Sequence, residues 1–176
     1  NAGVERIFAL THQGWARDLE LAARVPGIDV VIGGHTHTVP EQYPAVIIVS
    51  PAPALIVQAG SQGSYLGQLK ISFDENGIIQ NWKESRLITI DNTIAPDINV
   101  TTYLESYQQI INEYKTTNIG TTGVLLNGER ELVRSEETNL GNAIADAFLA
   151  AGSPAGASIA LVTGGGIRAS LPAGNI

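Results

Sequence analysis

Three histidines are the residues of this chain best suited to chemistry. His35 and His37 lie two apart in Gly33-Gly34-His35-Thr36-His37-Thr38, straight after the apolar run Ile28-Asp29-Val30-Val31-Ile32. That run reads as a buried strand. In extended backbone the side chains of i and i+2 point the same way, so both imidazoles would reach one point. The two glycines before them admit a close approach by backbone or ion. His12 follows a second strand candidate, Arg6-Ile7-Phe8-Ala9-Leu10. All three histidines thus fall at C-terminal strand ends, where open α/β sheets place their ligands. Neutral imidazole suits zinc, manganese, iron or nickel, so the three could hold one ion or part of a pair. A lone histidine is more often a surface or core residue; the Gly-Gly-His-x-His spacing shifts that balance. A two-metal hydrolase normally adds carboxylates. Here Asp29 lies in the strand and Asp18 in mid-helix, so the site reads as half complete.

A second group is Thr163-Gly164-Gly165-Gly166-Ile167-Arg168. Glycines after a strand let backbone N–H groups approach an anion, and arginine grips carboxylate or phosphate bidentately. Alone, such a stretch is more often simply a turn, and its spacing matches neither the Rossmann nor the Walker pattern. A third stretch, Arg134-Ser135-Glu136-Glu137-Thr138-Asn139-Leu140-Gly141-Asn142, reads as a helix start with Thr138 or Asn139 as cap. Arg134 just outside that helix could also serve a ligand.

The elements that position these residues follow from periodicity. Arg6–Leu10 and Asp29–Ile32 are strands flanking a helix over Gly14–Arg24, with Trp15, Leu19, Ala22 and Ala23 inward and Pro26-Gly27 as the stop. This strand–helix–strand order is an α/β unit with a parallel pair. Val46–Val49 and Leu55–Ala59 are short strands separated by Pro51 and Pro53. Leu66–Phe73 and Ile78–Trp82 form a hairpin around Asp74-Glu75-Asn76-Gly77, and Trp82–Ile90 continues as strand. Asp97–Tyr114 carries Val100, Tyr103, Leu104, Tyr107, Ile110, Ile111 and Tyr114 at helical spacing, and reads as a helix linking two domains. A second unit starts with a strand over Ile119–Leu126. A helix over Thr138–Ala151 turns Leu140, Ile144, Ala147, Phe148 and Ala151 inward, and Ala157–Val162 reads as a buried strand.

Composition narrows the class. With 44% hydrophobic and 15% charged residues the chain is globular. A net charge of −7 argues against nucleic acid as a partner, because a phosphate backbone calls for a basic surface. There is no membrane-spanning apolar run. Cysteine is absent, which excludes disulfides and thiolate metal ligands. Methionine is absent too, and the sequence closes on Gly174-Asn175-Ile176 with no terminal element, so it reads as an internal piece of a longer protein.

Taken in order, four blocks resemble the 5′-nucleotidase family of calcineurin-like metallophosphoesterases. They are Leu10-Thr11-His12-Gln13-Gly14, Gly33 to Thr38, Glu137 to Ala147, and Thr163 to Arg168. The resemblance runs from about Phe8 to the end. It implies an α/β (α+β) chain: residues 1–95 as the C-terminal part of a metallophosphoesterase sandwich, 96–117 as an interdomain linker helix, and 118–176 as the start of an α/β substrate domain. It implies two divalent metal ions, zinc, manganese or similar, with His12 and His35 on one and His37 on the other. It also implies a nucleotide substrate contacted by Arg168, Arg134, Thr163 and Gly165. Thr163 stands where the family usually has Asn. The family's catalytic histidine and remaining ligands would lie upstream of residue 1, so the piece alone would be inactive. The implied reaction is hydrolysis of nucleoside 5′-phosphates, in the periplasm or outside the cell. The alternatives are a 2′,3′-cyclic nucleotide or nucleotide sugar as substrate, or a non-catalytic binding remnant.

Overall fold

The computed structural model describes residues 3–49 and 52–176, which divide into two units, one ending at Asp97 and one beginning at Ile98. In the first, strands β1 (Phe8–Leu10), β2 (Val30–Ile32), β3 (Ala45–Val49) and β4 (Ala52–Val57) form one sheet in the order β1-β2-β4-β3. The β1–β2 and β2–β4 pairs are parallel, and β3 runs antiparallel to β4 at the edge. Helix α1 (Trp15–Arg24) makes the crossover from β1 to β2.

Side-chain alternation along the strands gives the sheet two apolar faces. On one, Val31, Ala54 and Ile56 pack with Ala22 of α1. On the other, Val30 and Leu55 pack with Ile79 of a hairpin, backed by Phe73 and Trp82. The layers are therefore helix, sheet and hairpin. The hairpin is β6 (Ser72–Phe73) with β7 (Ile79–Asn81); beside it β5 (Tyr65–Gln68) pairs with β8 (Arg86–Thr89), both antiparallel. Asp74 builds the hairpin turn: its Oδ1 accepts from the N–H groups of Asn76 and Ile78 at 3.0 and 2.8 Å.

Several local expectations are corrected. Pro53 lies inside β4, opposite Ile48 of the edge strand, instead of between two strands; Pro51 falls outside the described residues. The strand predicted across Trp82–Ile90 breaks at Trp82–Ser85, because the Ser85 hydroxyl stitches that turn to Lys70. It accepts from the Lys70 N–H at 2.9 Å and donates to the Lys70 carbonyl at 3.1 Å. In α1, Ala23 is exposed, and the buried pair is Ala22 with Asp18.

The second unit opens with α2 (Ile98–Thr116), the helix predicted from Asp97–Tyr114, and none of its residues is buried. Strand β9 (Thr121–Thr122) pairs antiparallel with β10 (Gly174–Asn175), so the last residues do form an element. Between them lie α3 (Leu132–Ser135) and α4 (Asn139–Gly152). Thr138 caps α4 as predicted, its Oγ1 accepting from the Gly141 N–H at 3.1 Å. Leu140 is buried, but Ala147, Phe148 and Ala151 are not. Ala157–Val162 forms no strand, and Ile159 and Leu161 are 75% and 93% exposed. No strand among the described residues pairs with that run, and an extended segment without a ladder partner gains nothing from its β-rich composition. No helix is long and apolar enough to cross a membrane, among the described residues.

Leu55 is fully buried between sheet and hairpin, so Leu55→Ala should cost about 2–5 kcal/mol of the first unit's stability. Leu66→Ala, at a position 56% exposed, should change it by less than about 0.5 kcal/mol. Urea denaturation separates the two; equal losses would contradict the layered core.

Candidate functional site

The histidine loop leaves β2 and is fixed at both ends. The Gly33 N–H donates to the Val57 carbonyl at 2.9 Å, and the Thr38 carbonyl accepts from the Gly60 N–H at 3.0 Å. His35 and His37 adopt φ of 77° and 61°, so the loop is not extended and the i, i+2 argument for their convergence does not apply. Left-handed backbone costs a non-glycine residue of the order of 1–2 kcal/mol, and something must hold it.

The hold comes from behind. Gln58, 3% exposed at the end of β4, donates its Nε2–H to the Gly34 carbonyl at 3.0 Å. Its Oε1 accepts from the Thr38 N–H and from the Thr36 hydroxyl, the latter at 3.2 Å. Thr36 Oγ1 in turn accepts from the N–H of Trp15 at 3.1 Å. A side chain of the histidine loop thus takes one of the orphan donors at the start of α1, whose own N-cap, Gly14, has none to offer.

The His12 loop has its own buried anchor. Asp18 is fully buried, and its Oδ1 accepts from Thr11 Oγ1 at 2.7 Å and Gln13 Nε2 at 3.0 Å, the residues flanking His12. Its Oδ2 has no partner among the described residues and lies against Gly33, where an added Cβ would sit 2.0 Å from it. From sequence Asp18 reads only as a mid-helix acid and Gln58 only as part of a strand. Asp18 did leave a signal, an acid on the Trp15–Leu19–Ala22 stripe of α1; Gln58 left none.

With both loops held, the exposed rings of His12 and His35 meet edge to face, 5.2 Å between centroids. Gly34 makes this possible, since a Cβ there would lie 2.8 Å from His12 Nδ1. Two accessible imidazoles beside a glycine cradle suit a divalent ion as donors. Among the described residues no group of three His, Asp or Glu side chains gathers as a complete ligand set. Asp29, instead of turning to the site, accepts from the Ile7 N–H at 2.7 Å.

In the second unit Gly164–Gly166 is a 3₁₀ turn capped by Thr163, whose Oγ1 accepts from the Gly165 N–H at 3.4 Å. Gly164 packs backbone to backbone on α3: a Cβ there would lie 2.0 Å from the Val133 carbonyl oxygen. That contact brings Arg134 over the turn, its guanidinium 3.6 Å from where a Gly165 Cβ would stand. Arg134, Thr163 and Gly165 therefore share one surface. Arg168, beyond buried Ile167, is exposed and makes no hydrogen bond or ion pair with the described residues. Asn139, the other cap candidate, instead ties α4 to the preceding loop by accepting from the Asn127 N–H at 2.7 Å and donating to the Leu125 carbonyl at 2.9 Å.

Comparison with known proteins bears on both units. Residues 118–176 match the family model described as 5′-nucleotidase, C-terminal domain. The chain is 42% identical, over 98% of its length, to a trifunctional nucleotide phosphoesterase protein of Bacillus subtilis, of which it spans 12%. It is 32% identical over 96% of its length to the 5′-nucleotidase of Bos taurus, of which it spans 33%. Among solved structures it is similar to a 5′-nucleotidase precursor from Thermus thermophilus, with a TM-score of 0.71 and 36% identity, covering 99% of this chain and 37% of that one.

Two sets of substitutions test the site as a scaffold. Gly164→Ala should destabilise the second unit by about 3 kcal/mol, because backbone meets the new Cβ, and Gly165→Ala by less than about 1 kcal/mol. In the first unit Thr36→Val should cost about 1 kcal/mol through the lost cap and Thr36→Ser nearly nothing. Denaturant midpoints measure all four; a Val as stable as the Ser would remove Thr36 from the cap.

Proposed function

This chain belongs to the 5′-nucleotidase family, and we propose that the protein containing it hydrolyses nucleoside 5′-phosphates with the help of divalent metal ions. The observation that carries the reading is the pairing of His12 with His35 on anchored loops, in a chain so similar to a nucleotide phosphoesterase. His12, His35 and His37 would hold two ions, zinc, manganese or similar, together with carboxylates from outside this chain. When bound, the ions supply charge neutralisation on the phosphate oxygens and activation of water. The reaction adds one water across the bond between phosphorus and the ribose oxygen.

The chain's own contribution is to bind and orient. Arg168 has no competing partner among the described residues and projects from a short, capped turn. A guanidinium so placed can pair with a phosphate oxygen in two hydrogen bonds. Arg134, beside Gly165 and Thr163, supplies a second cation on the same unit. Because the chain as a whole carries −7, these arginines are local exceptions to an acidic surface, which favours a compact anionic ligand over a polyanion. We place the protein in the periplasm or outside the cell on the strength of its similarity to 5′-nucleotidases.

A wider substrate range on the same scaffold, taking in 2′,3′-cyclic nucleotides or nucleotide sugars, draws support from the word trifunctional in the Bacillus relative's name.

The test is phosphate release from AMP by the intact protein with Mn²⁺ or Zn²⁺, beside cyclic nucleotide and nucleotide sugar controls. His35→Ala should lower turnover by more than about 100-fold, beyond the range seen for outer-sphere partners. Arg168→Ala should chiefly raise KM for AMP. Unchanged turnover in the His35 variant would overturn the metal role given to that residue.

A further inference from the structure

We infer that Gln58 is the positioning residue of the histidine loop: its single buried carboxamide fixes the backbone turn that presents His35 and His37 to a metal ion. The inference rests on the metal-dependent reading above and adds to it a residue that touches neither metal nor substrate.

Residues 34 to 38 alternate in use. Gly34, Thr36 and Thr38 all bond to Gln58, the first through its carbonyl, the second through its hydroxyl, the third through its N–H. The residues between them are the two histidines, both exposed and both left-handed. One side chain therefore grips every second residue of the loop, and the two histidines between those residues stay exposed. A glutamine suits this because the loop offers an acceptor at Gly34 and donors at Thr36 and Thr38, and a carboxamide both donates and accepts. Glutamate would set a second acceptor against the Gly34 carbonyl; leucine would satisfy none of the three groups.

The burial separates this from routine surface hydrogen bonding. Gln58 is 3% exposed beside Val57, where an apolar side chain would extend the core of β4 at no desolvation cost. Among the described residues its side-chain hydrogen bonds go only to the histidine loop, none to the sheet. The loop's strain and its anchor are thus matched at one point. Gln58 and the histidines are separated by 20 or more residues in sequence, so no local turn propensity does this job.

Three measurements on the intact protein, with Gln58→Glu and Gln58→Leu, decide it. In the metal-free protein, amide exchange of Thr38 should quicken at least tenfold in the Leu variant, with amides of β2 and β4 unchanged. By calorimetry the Mn²⁺ dissociation constant should rise at least tenfold in both variants. At saturating Mn²⁺ the Glu variant should regain kcat to within about threefold, with KM for AMP unaltered. A merely structural glutamine would lower Tm and leave Mn²⁺ affinity as in wild type, and that result overturns the inference. So does wild-type exchange at Thr38, or a wild-type protein that binds no Mn²⁺. A wild-type protein that binds Mn²⁺ but releases no phosphate from any nucleotide would instead sink the proposed activity, and exchange with Mn²⁺ affinity would still decide the role of Gln58.

Discussion

The first unit depends on one set of hydrogen bonds, those that Gln58 makes to the backbone and hydroxyls of residues 34 to 38. Without them, the backbone around two left-handed histidines would lose its bonds to the buried end of β4 at Gly34 and Thr38. The same loop sends Thr36 to the start of α1, so the helix, the sheet and the site share one polar junction. Junctions of this kind are stable only when every member is satisfied, because a buried polar group left unpaired costs more than a formed bond returns. The odd member is Asp18, with one oxygen against Gly33 and unpartnered among the described residues.

Glycine has the complementary role of allowing parts to touch. Gly34 admits the His12 ring, and Gly164 lets a turn lie directly on the carbonyl of Val133. The two units reach similar ends by different means. In the first, polar side chains bring two ligand loops together. In the second, backbone contact brings Arg134 onto the capped turn that precedes Arg168. Each unit so presents polar side chains at its surface: imidazoles in one, guanidiniums in the other.

What was legible in the sequence was the part written in local patterns. The α1 crossover, the Asp74–Gly77 turn and the Thr138 cap follow from periodicity and turn chemistry, and the structure has them. The histidines stand out by type and spacing, but the backbone at His35 and His37 is left-handed and not extended, because a strand-end loop need not continue the strand. Gln58 was hidden within an apolar run read simply as strand, and its partners are distant in sequence. The run Ala157–Val162 failed for the opposite reason. Its composition is that of a buried strand, but pairing is non-local, and no described strand lies beside it. Phe148 is similar: the helical stripe is real, while what would cover it is not set by the helix itself.

The central claim is that the anchored loops exist to place imidazoles on a metal ion. Zinc K-edge X-ray absorption on the Zn²⁺-loaded intact protein tests it most directly, because outer-shell scattering from imidazole is distinctive. The account predicts first-shell N and O ligands near 2.0–2.1 Å with imidazole multiple scattering, reduced when His12 or His35 is replaced. Zinc bound through oxygen ligands alone, or a spectrum unchanged by both replacements, would contradict it.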